Sequence, residues 1–101
     1  MKIPESFPVG PFEYKIERGV KGDEWLARCG RMGESDHYEN VVRLQSHLPS
    51  QQVNETFWHE VCHCIDHVML NDEMDENAVA CFARGMYQVV KHLGLVFEEE
   101  Q

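Results

Sequence analysis

No run of apolar residues in this 101-residue chain approaches the length of a membrane span, and no secretory leader follows Met1-Lys2-Ile3-Pro4. Both absences point to a protein of the cytoplasm. Basic residues are scarce: nine Lys and Arg stand against eighteen Asp and Glu, a net charge of −9. Nucleic acid and anionic membrane would be repelled by such a surface, so neither is expected as a partner. Repeats and low-complexity linkers are also missing, and residues 1–101 read as one domain with room for a single modest core. Cysteine is limited to Cys29, Cys62, Cys64 and Cys81. With no leader these are expected to be reduced and mostly buried, and Cys62 and Cys64, two apart on a helix, point to different sides and cannot pair.

Glycine and proline divide the chain. Pro4, Pro8, Gly10, Pro11, Gly19, Gly22, Gly30 and Gly33 punctuate the first half, whereas residues 51–70 contain neither type. Residues 12–17 alternate apolar and charged side chains, as a half-buried strand does. A turn over 19–24, a second strand over 25–29, a loop over 30–36 and a third strand over 37–44 complete the expectation. The class is therefore α+β: a small antiparallel sheet of about three strands, four at most, packed on an antiparallel two-helix hairpin. Sheet and loops fill residues 1–49, the helices 50–93, and a solvated acidic tail 94–101.

In the first predicted helix, with Ser50 as N-cap, Phe57, Val61, Cys64, Ile65 and Val68 share an apolar face, with Trp58 and Met69 at its edge. His59, His63 and His67 fall opposite, with Thr56, Glu60 and Asp66. Asn71-Asp72 marks the break, with Asp72 capping a second helix over 73–92 that ends at Gly94. Its inward stripe is Val79, Ala83, Met86, Val90 and Leu93, with Phe82 and Val89 alongside. Gly85 within it costs about 1 kcal/mol against Ala, which suggests close helix packing. Trp25 and Trp58 are expected in the core, and His37 and His47 on the surface.

His59-Glu60-Val61-Cys62-His63 is an HExxH pattern on this helix. Side chains at i and i+4 lie one above the other, so two imidazoles can converge on one zinc ion, with Glu60 beside it as general base for a zinc-bound water. With six His and thirteen Glu in the chain, chance alone gives about 0.04 such matches, so context carries much of the reading. A catalytic zinc takes three protein ligands and keeps one position open. The returning helix offers Glu76, which extends the inward stripe of Val79 and Ala83; Glu73 and His67 are the alternatives.

The segment Glu55-Thr56-Phe57-Trp58-His59-Glu60-Val61-Cys62-His63-Cys64-Ile65-Asp66 resembles the ETxxHExxHxID segment of small phage and prophage zincin-like proteins, the minigluzincin-like metallopeptidase family. The later stretch from Glu76 through Val79, Phe82-Ala83, Gly85-Met86 and Tyr87-Gln88-Val89 is similar to a second segment of that family. The resemblance covers roughly residues 40–93. It implies a minimal zincin-like domain in a bacterial host cytoplasm, with His59, His63 and Glu76 as zinc ligands, Glu60 as general base, and a peptide or protein as substrate.

On this reading an edge strand near residues 39–43 would hold an extended peptide. Tyr38, Arg84, Tyr87 and His67 are the candidate donors to a developing oxyanion. Asp66 is expected to orient a ligand histidine. Two other readings stand beside the peptidase. One is a zinc-containing binding module without catalysis; the other is a closed structural zinc site that includes His67.

Overall fold

The computed structural model describes residues 2–98; Glu99, Glu100 and Gln101 of the expected tail lie outside them. The elements are β1 (Ser6–Val9), β2 (Phe12–Glu17), α1 (Val20–Cys29), β3 (Gly33–Asp36), β4 (Val41–Leu44), α2 (Ser50–Met69) and α3 (Glu76–His92). The class is α+β, but the sheet differs from expectation. It has four strands in the order β1-β2-β4-β3, and it is mixed: β2 and β4 run parallel, while β1–β2 and β3–β4 are antiparallel.

The parallel pair explains the most visible correction. Parallel neighbours cannot be joined by a tight turn, so the chain between β2 and β4 must cross over. Residues 20–29, expected as a turn and a strand, form helix α1 in that crossover. Asp23 in its first turn and Arg28 in its last suit the helix dipole. Gly30 closes the helix at φ 68°, giving its N–H to Leu26 and Ala27 carbonyls, a left-handed conformation that glycine adopts without penalty. Leu26 is fully buried, whereas Trp25 is largely exposed and donates to Glu34 Oε2 at 3.0 Å. Trp25 is therefore no core residue. Residues 33–36, expected as loop, form edge strand β3, and the strand expected over 37–44 shortens to β4.

One face of the sheet packs on α2. Val9, Tyr14, Val42, Leu44, Phe57, Val61, Cys64 and Phe97 form that core, and Trp58 packs against it. Along β4, Val42 and Leu44 point inward, while Arg43 on the other face meets Glu17, Glu34, Asp36 and Glu39. Helix α2 starts at Ser50 with Pro49 at the cap and no side-chain cap hydrogen bond, so Ser50 is not the N-cap. Its hydroxyl instead contacts the Phe97 carbonyl. Ile65 and Met69 are exposed rather than core.

The α2–α3 connection is longer than expected. Asn71 and Asp72 both take left-handed backbone (φ 58°), which Asn and Asp tolerate better than most residues. The Asp66 carbonyl receives the Leu70 and Asp72 amides, and buried Asp66 Oδ1 accepts from Met74 N at 3.1 Å. Asp66 thus secures the turn rather than orienting a histidine. The N-cap of α3 is Asp75, accepting from Ala78 N at 2.7 Å, and not Asp72.

Cys62, Val79 and Ala83, flanked by Met74 and Met86, seal α3 onto α2. Phe82, Val89 and Leu93 are exposed, and open space surrounds Gly85, so no close helix contact explains that glycine. The stretch after α3 is not a free solvated end either. Phe97 is 5% exposed, and its amide and carbonyl pair with the Asn54 side chain at 2.8 and 2.9 Å. All four cysteines are free; Cys62 and Cys64 are buried, Cys29 and Cys81 exposed. Among the described residues no helix is long and apolar enough to cross a membrane.

Candidate metal centre

Helix periodicity and the α2–α3 turn assemble the site. His59 and His63 stand one turn apart on α2, and their Nε2 atoms lie 3.1 Å from each other. Glu76 is the first residue of α3, and its carboxylate reaches across to the His59–His63 turn of α2. Its Oε1 lies 2.8 Å from His59 Nε2 and its Oε2 3.1 Å from His63 Nε2. Ligand atoms about 2.0–2.1 Å from a tetrahedral zinc stand roughly 3.3–3.4 Å from one another. The observed spacings are close to that, and two imidazole nitrogens with one carboxylate are a donor set suited to zinc. These three residues could hold a metal ion.

Glu60 lies beside this trio. Its side chain is buried, with the residue 7% exposed, and its Oε1 accepts from Ser35 Oγ at 2.7 Å. Burial pushes its carboxyl above the ordinary carboxylate range, opposed by the Ser35 hydrogen bond and by the two imidazoles. A cleft of 860 Å³ opens over the four residues, walled by β3 on one side and by Ala80, Ala83 and Arg84 of α3 on the other.

The alternatives for the third ligand are turned elsewhere. His67 Nδ1 is 2.9 Å from Asp72 Oδ2, and its ring stacks on His37 at 4.1 Å between centroids. Glu73 precedes α3 in the connecting segment and is not part of the converging group. Of the candidate oxyanion donors, Arg84 lines the cleft, whereas Tyr38 is 96% exposed outside it and Tyr87 is buried. The edge strand also differs: β4, which contains residues 41–43, is paired on both sides, and β3 is the free edge beside the site.

Sequence reasoning missed three residues here. Ser35 and Gly33 lie on β3, whose Gly-Glu-Ser-Asp composition carries no apolar alternation to mark a strand. His37, expected on the surface, is half-buried in the cleft wall, with Nδ1 3.1 Å from the Tyr14 hydroxyl. Burial, then the neighbouring His67, lower its pKa. Thr56 is buried on the site side of α2. No family model, curated protein or solved structure matches the chain.

Proposed function

We propose that the protein is a zinc-dependent metallopeptidase of gluzincin type, acting on an extended peptide or protein segment. One observation carries the reading: two imidazole nitrogens and a carboxylate converge from successive helices, with the buried Glu60 carboxyl beside them in an open cleft. Held by His59, His63 and Glu76, zinc would supply a Lewis acid that polarises the scissile carbonyl and draws the pKa of water toward neutrality. Glu60 accepts the proton and returns it to the leaving amine.

Strand β3 gives the substrate a track. Gln45 N donates to Met32 O across the β3–β4 pair. Because inward and outward groups alternate along an antiparallel ladder, Gly33 and Ser35 direct their main-chain groups to the free edge. An extended peptide can pair there, over the cleft. Arg84 and His37 supply hydrogen-bond donors on the cleft wall.

The test is metal content and turnover together. Purified protein should bind about one zinc per chain, and Glu60→Gln should retain the zinc while losing peptide cleavage. Failure of zinc-loaded wild-type protein to cut any member of a broad peptide library would sink the peptidase reading and leave the non-catalytic binding module. The closed structural site draws no support from His67, which is engaged with Asp72 and His37.

A further inference from the structure

Ser35 makes a short side-chain hydrogen bond to the proposed general base, and it does so from a different element of the fold. Its hydroxyl lies 2.7 Å from Glu60 Oε1 and 3.2 Å from the Glu60 carbonyl. A hydroxyl has one proton, and the carboxylate, closer and charged, is the stronger acceptor. Behind Ser35 stands the buried Cys64 thiol, 3.8 Å from its Oγ. Behind Cys64 stands the Tyr14 hydroxyl, which in turn meets His37 Nδ1. A file of polar groups from β2, β3 and α2 therefore ends on one oxygen of Glu60.

We propose that Ser35 is the positioning residue for Glu60. The terminal torsion of a Glu side chain is broad and roughly two-fold, so an unheld carboxylate exchanges its two oxygens freely. By occupying Oε1, Ser35 leaves the other oxygen to serve the cleft. The strand is set close enough to do this because position 33, two residues earlier on the same face, is glycine. A Cβ there would come 2.5 Å from Thr56 Cγ2 and 3.4 Å from Glu60 Cγ. The catalytic meaning of this contact rests on the peptidase reading; the contact itself does not.

Two measurements separate them. In metal-free protein, Ser35→Ala, Glu60→Ala and the double variant form a cycle read by urea denaturation. The pair should be coupled by about tenfold or more in the folding equilibrium constant, and coupling below about twofold overturns the proposal. In zinc-loaded protein cleaving fluorescein-labelled casein, Ser35→Ala should lower kcat about ten- to a hundredfold, with KM and zinc affinity within about twofold of wild type. An unchanged kcat, or a loss confined to KM or zinc affinity, assigns Ser35 a purely structural role and refutes positioning. If wild-type protein cuts nothing, the peptidase reading falls, while the metal-free cycle still decides whether Ser35 holds Glu60.

Discussion

Gly33→Ala tests whether the approach of β3 to α2 is as tight as the site requires. The added methyl would sit 2.5 Å from Thr56 Cγ2 and 3.2 Å from the Arg43 carbonyl oxygen. Carbon atoms in contact stand about 3.5–4.0 Å apart, so roughly 1 Å has to open. Thr56 is buried on a helix with restricted χ1, and the Arg43 carbonyl belongs to the neighbouring strand, so neither yields easily. Overpacking of this kind costs about 1–3 kcal/mol. Gly33 does not have positive φ, so alanine also stiffens the unfolded chain, which returns about 0.4–1 kcal/mol. The net expectation is a loss of about 1–2 kcal/mol, or roughly 5–15 °C in Tm for a domain of this size.

The assay is thermal and urea unfolding of metal-free protein followed by circular dichroism. Thr56→Ser removes the clashing methyl, and in that background the cost of Gly33→Ala should fall by about half or more. An alanine variant as stable as wild type would refute the close-approach argument. A cost indifferent to Thr56→Ser would do the same.

Other expectations follow from single features. Asn54→Ala strands the buried amide of Phe97 and leaves its carbonyl only the longer Ser50 contact, and should cost about 1–3 kcal/mol in urea unfolding. Native protein should react rapidly with a thiol reagent at Cys29 and Cys81, with Cys62 and Cys64 reacting after denaturation; rapid loss of all four would contradict their burial. Burial pushes the thiols of Cys62 and Cys64 up to about 11 and about 12 from an ordinary 9.0, and the Tyr14 hydroxyl up to about 12 from 10.0. Folded values above unfolded ones mean that this stability is fully present below the unfolded values and is lost as pH rises through the folded ones. The urea midpoint should therefore fall from about pH 9 upward, and the Cys64→Ala and Tyr14→Phe variants should show a shallower decline. Glu76→Gln should weaken zinc binding by more than about a hundredfold, beyond the usual effect of residues outside the ligand set. His67→Ala should leave it within about threefold; the reverse ranking would reassign the third ligand.

What could be read from the sequence was what neighbouring residues decide among themselves. The histidine pair on α2 follows from a 3.6-residue period, and the juxtaposition with Glu76 from a short helical hairpin. The hairpin was legible although its boundary was not: Asp72 and Asp75 are both plausible caps, and what chose between them was tertiary. Asp66 holds the turn through three backbone amides and delays the helix to Glu76. That delay matters chemically. As the first residue of α3, Glu76 meets His59 and His63, whereas as the fourth residue of a helix starting at 73 it would stand almost a full turn further along.

The sheet was less legible because its strands are defined by their partners. Gly33-Glu34-Ser35-Asp36 has no apolar residue, and it is a strand because β4 pairs with it. Residues 25–29 carry enough apolar character to pass for a strand, but the parallel β2–β4 pairing turns that stretch into a crossover helix. These two misreadings have one source, and it bears on the site. The residues that hold Glu60 and border the cleft come from the strand with the weakest local signal. A polar strand is tolerated at this edge because its inward positions are a glycine and a serine, small enough to lie against α2. The same smallness brings a hydroxyl within reach of the buried carboxyl, so the feature that hid β3 in the sequence is the one that lets it reach the site.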